Sequence, residues 1–276
     1  MQLEQLSSQL QRSTEGIYFS GPSTNEISYA AGGHAECYGV EDSSFWFRHR
    51  NNCISAMVRR HGCEGIFLDV GGGNGYVAQR LQQEGYPVVL LEPGEVGARN
   101  AHANRRLDNV VCSTLEEAYF KPSSFAGVGM FDVIEHIDDD RNFLYQVREV
   151  LKPGGRLFMT VPCHDWLWSL ADIDAGHFRR HTYESLEKLL EGVFRVDYMS
   201  YFFGALVLPQ YLLRALPYRI GLARGRGVLS TSSEHGADNG IAAKIVARLL
   251  DREVGAVEAG RRLGIGASCL LAATKI

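Results

Sequence analysis

The residues best suited to chemistry begin with Asp69 and the glycine run that follows it in LDVGGGNG (68–75). Gly71 and Gly73 tolerate positive φ and let a ligand approach the backbone where a Cβ would block it. The helix expected after the loop offers amides to an anion, so a dinucleotide is one reading of the run. Two details oppose it. The third glycine of GxGxxG falls at Tyr76, and Asp69 stands where its charge repels a pyrophosphate and attracts a cation. Further on, Glu92, followed by Pro93, ends the apolar run PVVLL and can accept hydrogen bonds from two ribose hydroxyls. An adenosine ligand with a positive charge satisfies both carboxylates.

Histidine is the side chain suited to moving a proton near neutrality. Of nine histidines, His136, His164, His177 and His181 fall where strands are expected to end. His136 follows Glu135 at the mouth of one strand, and His177 lies in a Gly-flanked stretch expected to cross over the same opening. The plainer reading makes His136 a helix cap and pairs Arg179 and Arg180 with Asp172 or Asp174. Asp132, Glu135, His136, His177 and His181 together also offer carboxylate and imidazole ligands suited to Mg²⁺, Mn²⁺ or Zn²⁺. Their spacing forms no tight ligand motif, and no metal is expected.

The elements that must hold these residues alternate. Strands are predicted at 66–70, 87–92, 109–113, 126–134, 156–162, 194–202 and 268–276. Helices are predicted at 76–85, 97–106, 141–151 and 183–191, the third ended by KPGG. Such alternation predicts a parallel sheet covered on both faces, with ligands at the carboxyl ends of the strands near the switch in strand order. Residues 1–60 and 203–265 stand outside it. The expected organisation is therefore an N-terminal helical lid (1–60), a core (61–202), a helical cap insertion (203–265) and a last core strand (266–276).

Composition bounds the rest. The chain has 276 residues, 45% hydrophobic and 22% charged, with a formal net charge of −4, an ordinary core-forming mixture. That balance gives no reason to expect a nucleic-acid partner. Six scattered cysteines without CxxC spacing suggest reduced thiols and a cytoplasmic setting. The polar start of the chain reads as neither signal nor anchor, and no apolar run is long enough to span a bilayer.

These segments resemble the class I S-adenosylmethionine-dependent methyltransferases. LDVGGGNG is similar to their first motif, LLEPG to the ribose-binding acidic loop, FDVIEHI to the fourth motif and LKPGGRLFMTVP to the fifth-strand motif, over roughly residues 60–200. The resemblance implies an α/β, doubly wound, seven-stranded Rossmann-like sheet, mostly parallel with its last strand antiparallel. It also implies S-adenosyl-L-methionine as cofactor, bound by Asp69, Gly71, Gly73, Glu92, Pro93 and Asp132. Where many members carry an acidic residue for the adenine amino group, this chain has CSTLEE, so Ser113, Thr114 and the Leu115 backbone take that place. SFWFRHRNN, HDWLWSLADIDAGHFRRHT and GIGAS further resemble a bacterial methyltransferase type 11/12-like subgroup, with His181 replacing its usual tyrosine.

The implied activity is methyl transfer to a small-molecule acceptor, with oxygen the expected acceptor atom and His136 or His177 the candidate base. A nicotinamide oxidoreductase and a non-catalytic cofactor-binding protein are the rivals. Arg50 in SFWFRHR is expected to meet the methionine carboxylate from a lid; the alternative is an amphipathic helix packed on the sheet. In the insertion, FFGALVLPQYLLRALPY (202–218) is nearly all apolar, and Pro209 is expected to kink or end a helix begun before it. Leu206, Leu213 and Leu216 form apolar stripes there, and Tyr211 with Leu213 is expected to roof an apolar acceptor. A structural cap or dimer contact is the alternative. Monomer and homodimer are both compatible with the sequence, as is peripheral contact with a membrane.

Overall fold

The computed structural model describes residues 3–21, 38–222 and 241–276, with side chains described from residue 246 in the last stretch. All seven expected strands form: β3 (Phe67–Val70), β4 (Val88–Leu91), β5 (Val110–Cys112), β6 (Phe125–Phe131), β7 (Leu151–Pro162), β8 (Phe194–Phe202) and β9 (Ser268–Lys275). Two short strands precede them, β1 (Gln11–Arg12) and β2 (Tyr18–Phe19). The sheet order is β1-β2-β5-β4-β3-β6-β7-β9-β8. Pairing is parallel from β2 to β7 and antiparallel where β9 inserts between β7 and β8. The chain runs outward from β3 to β5, then returns to the far side of β3 with β6. The crevice between the ends of β3 and β6 is thus the switch point.

Every residue of β3, β4 and β6 is buried, as expected of parallel strands covered on both faces. Alternation sorts their side chains: Leu68, Val70, Val89, Leu91, Val128 and Met130 face one layer, and Phe67, Val88, Leu90 and Phe131 the other. The first layer is closed by α4 (Asp140–Val150) and α6 (Tyr183–Leu190), and the second by α1 (Phe45–His61), α2 (Tyr76–Gln83) and α3 (Glu95–Ala103). Helix α4 stops just before KPGG, and Gly154 takes φ 69° near the start of β7.

The N-terminal segment departs from the helical lid expected of it. Hairpin β1–β2 lengthens the sheet, because β2 pairs in parallel with the otherwise open edge of β5. Helix α1 buries nine of its residues, so it is a core element. The insertion differs as well. Pro209 lies in the first turn of a helix starting at Val207, where a missing N–H costs nothing. The helix runs on through a π-turn at Tyr211–Ala215 to Arg219. Among the described residues Leu213 is 71% exposed and Leu208 63% exposed. The polar stretch at 230–240 (STSSEHGADNG) lies outside the described residues. After it, α7 (Ile241–Glu258) packs along α1. Among the described residues no helix is long and apolar enough to cross a membrane.

Candidate active site

Asp69 ends β3 one residue before the strand gives way to the glycine loop. Gly71 and Gly73 adopt φ 67° and 54°, and a Cβ on Gly71 would stand 2.8 Å from Val133, so this turn requires glycine. Asp69 is 1% exposed, and among the described residues its buried Oδ2 has no hydrogen-bond partner. Burial, with Glu92 nearby, raises its carboxyl to about 7 despite the opposing pull of Arg50 and the Ala78 amide. A buried carboxylate oxygen left open beside a glycine cradle fits a ligand that brings a cation. Glu92 leaves the end of β4 and accepts from the amides of Gly73 (2.8 Å) and Gly94 (2.6 Å). It thereby shapes the loop as well as presenting acceptors to it. Pro93 follows, half-buried, its carbonyl facing the Cys112 thiol.

The third expected contact lies after β5. Ser113 and Leu115 are buried and Thr114 half-buried. Ser113 Oγ donates to the Thr114 carbonyl at 3.0 Å and stands 2.7 Å from Ser20 Oγ. Ser20 arrives there because β2 runs parallel to β5 in the register Phe19↔Cys112. No sequence signal marks it, since the two serines are far apart along the chain.

Arg50 has a partner other than the one anticipated. Its Nε donates to Asp132 Oδ2 at 2.5 Å and its Nη2 to the Phe131 carbonyl at 2.7 Å. Asp132 itself takes φ 59°, a left-handed conformation that needs support, and Thr160 donates to its other oxygen at 3.0 Å. Arg50 and Thr160 thus hold the turn at the mouth of β6. Trp46 stacks on Phe203 at 5.3 Å, and His49 bonds Glu253 at 2.9 Å, which also accepts from the Phe203 and Gly204 amides. These contacts tie α1 to the insertion.

Beyond that turn the chain brings two distant histidines together. The rings of His136 and His177 lie 4.8 Å apart, edge to face. The crossing stretch is docked by the Phe178 amide, which donates to the Glu135 carbonyl at 2.8 Å. Burial, with His177 alongside, pushes the His136 imidazole down to about 4, so it is neutral at pH 7. Glu135 is fully buried, and among the described residues neither of its carboxylate oxygens has a hydrogen-bond partner. Burial and the nearby Asp132 raise its carboxyl well above the usual range. One Glu135 oxygen and one ring nitrogen each from His136 and His177 lie within 4.8 Å of one another, a spacing that can hold a metal ion. His181 stands apart, buried, with Nδ1 3.4 Å from Ser185 Oγ.

Asp172 emerges as a member of this region that the sequence marked only as an ion-pair partner. It closes a capping box with Ser169 at the start of α5 (Leu170–Asp174) and accepts from His177 Nδ1 at 3.0 Å. Burial works against its ionisation, but the His177 and Arg180 hydrogen bonds outweigh it and hold the carboxyl below its ordinary value. Arg179 pairs with Asp140 instead.

The sheet order, the switch-point crevice and the glycine loop between two buried carboxylates define a class of fold that binds nucleoside-containing ligands at its strand ends. The family described as "Methyltransferase domain" matches residues 51–193, just over half of the chain. The chain belongs to this family and is a class I S-adenosylmethionine-dependent methyltransferase, which removes the nicotinamide reading. Among curated proteins it is 29% identical over 151 residues to the mitochondrial ubiquinone biosynthesis O-methyltransferase of Schizosaccharomyces pombe, covering 50% of this chain and 52% of that one. It is 30% identical over 139 residues to the Pectobacterium carotovorum ubiquinone biosynthesis O-methyltransferase, covering 47% and 58%. The match thus spans little more than half the length of these relatives.

Solved structures share the fold at low identity. One is a putative methyltransferase in complex with the Haloferax volcanii Trm112 activator (TM-score 0.56, 14% identity, 91% of this chain and 97% of that one). Another is phosphoethanolamine N-methyltransferase 2 of Haemonchus contortus with S-adenosyl-L-methionine (TM-score 0.53, 16% identity, 93% and 61%).

Proposed function

We propose that the protein methylates an oxygen atom of a small-molecule acceptor, with His177 as the base and His136 lining the acceptor side. The observation that carries this reading is the His136–His177 pair at the mouth of β6, adjacent in the sheet to β3 and Asp69. In this reading Asp69 holds the methionine ammonium, Glu92 the ribose hydroxyls, and Ser113, Thr114 and Leu115 the adenine edge. Gly71, Gly73 and Pro93 leave room for the ligand, and Asp132, braced by Arg50, closes the crevice from the β6 side.

S-adenosylmethionine supplies an electrophilic methyl group, so the chain's task is positioning and proton removal. The acceptor O–H gives its proton to His177, the O–C bond forms as the C–S bond breaks, and S-adenosylhomocysteine leaves as a neutral thioether. The Asp172 carboxylate stabilises the imidazolium so formed. The O-methyl transfer named for the curated relatives supports oxygen. Beyond the end of β7, Trp166 meets Tyr211 edge-on at 5.7 Å, an aromatic wall that favours an apolar acceptor.

Calorimetry with S-adenosylhomocysteine, followed by transfer of a labelled methyl group to a panel of hydroxylated aromatic compounds, tests the assignment. Methylation confined to amines or carbon acids would overturn the oxygen reading.

A second reading has its own observation. Glu135, His136 and His177 would hold a divalent ion, whose Lewis acidity would lower the pKa of an acceptor hydroxyl. A chelator then abolishes turnover and added Mg²⁺, Mn²⁺ or Zn²⁺ restores it; under the metal-free reading a chelator changes nothing.

A further inference from the structure

We infer that Asp172 is a positioning residue that fixes the tautomer of His177, placing the proton on Nδ1 and leaving Nε2 as the working nitrogen. The inference rests on the reading of His177 as a site residue, and it holds whether Nε2 takes a proton or a metal. His177 bonds Asp172 twice: its amide donates to the Asp172 carbonyl at 2.9 Å, and its Nδ1 lies 3.0 Å from Oδ1. A carboxylate in that place can only accept, so Nδ1 must carry the hydrogen.

The carboxylate is itself immobile. It is 1% exposed, and every donor around it is accounted for by oxygen. Arg180 Nε (2.8 Å) joins His177 on Oδ1, while Arg180 Nη2 (3.0 Å), the Ser169 amide (2.9 Å) and the Ser169 hydroxyl (3.2 Å) converge on Oδ2. Arg180 also donates to the Cys163 carbonyl at 3.1 Å, at the end of β7. Gly176, at φ 76°, makes the reversal that returns His177 over its own helix toward Asp172. The device therefore runs from the sheet through Arg180 and Asp172 to the imidazole.

This arrangement predicts the consequence of Asp172→Asn. The amide oxygen takes the Oδ2 position, where three donors converge against two at Oδ1, which displaces Arg180 Nε from the Oδ1 position and turns the NH₂ toward His177. That group donates, so Nδ1 loses its hydrogen and Nε2 gains one: the same shape with the wrong tautomer. In protein labelled with ¹⁵N-histidine, two-bond ¹H–¹⁵N spectra identify the protonated nitrogen of each neutral ring, and His177→Gln identifies its signals by their disappearance. Wild-type protein should show His177 protonated at Nδ1. Asp172→Asn should reverse this and lower kcat by roughly 10²-fold, while the dissociation constant for S-adenosylhomocysteine stays within about twofold. Arg180→Gln, which keeps the carboxylate, should retain the wild-type tautomer.

A wild-type His177 protonated at Nε2 overturns the inference even if no variant folds. An unchanged tautomer in folded Asp172→Asn also overturns it. Full turnover by His177→Gln sinks the reading of His177 instead, and is distinguishable because the tautomer is read independently of activity.

Discussion

The two halves of the crevice are built differently. On the cofactor side, beyond β3, β4 and β5, the groups are largely backbone: glycines at positive φ, amides bound by Glu92, and short loops directly continuing the strands. On the acceptor side, beyond β6 and β7, they are side chains drawn from segments about forty residues apart and tied together by the Phe178 amide on the Glu135 carbonyl and by Arg179 on Asp140 and the Asp138 carbonyl. A backbone-built site depends on a few conformations that only some residues can adopt. A site built from side chains depends on each partner's packing and protonation, and so can be retuned one residue at a time.

The sharpest test of that contrast separates turnover from cofactor affinity. His177→Gln should lower kcat by roughly 10²-fold while calorimetric affinity for S-adenosylhomocysteine stays unchanged; loss of both together would erase the division. Glu92→Ala should do the reverse. It removes the acceptor for two loop amides as well as for the ribose, and the net loss of one charge-assisted bond, about 1.5–3 kcal/mol, translates to affinity lower by about 10–100-fold. Near-normal binding by the folded variant would remove Glu92 from the site.

The next effect is one of pH. Because the Asp69 carboxyl is raised to about 7, it is largely protonated at pH 6 and ionised at pH 8, and the ligand's ammonium favours the ionised form. Binding should therefore release a proton and strengthen by about tenfold between pH 6 and pH 8, and Asp69→Asn should flatten the profile. A smaller change is expected at the adenine edge. Ser20→Ala removes one neutral hydrogen bond, so affinity should fall by about two- to tenfold; an unchanged value would confine the hairpin to a structural role. The smallest concerns the insertion. Leu213→Asp alters an exposed side chain and should leave acceptor KM unchanged and stability within about 0.5 kcal/mol, measured by initial rates and thermal unfolding. A raised KM would return Leu213 to the acceptor path.

The sequence alone determined the strands, the glycine loop and the carboxylates that bracket it. These are local properties: apolar runs of strand length, residues that permit positive φ, and acids placed just where a strand stops. It also singled out His136 and His177 as chemically able. Tertiary structure decided what local pattern cannot encode, namely which distant groups meet. Ser20 reaches Ser113 only because β2 adds to the β5 edge. Arg50 reaches Asp132 only because α1, packed against α2, α7 and β9, buries that face of the helix. Asp172 orients His177 because a chain reversal at Gly176 returns the ring to a carboxylate already held by Arg180 and Ser169. Leu213 is exposed although spacing alone places it on an apolar stripe, and the π-turn at Tyr211–Ala215 departs from the helical period that such spacing assumes. Periodicity is written in neighbouring residues, whereas hydrogen bonding and burial depend on which surfaces the folded sheet presses together.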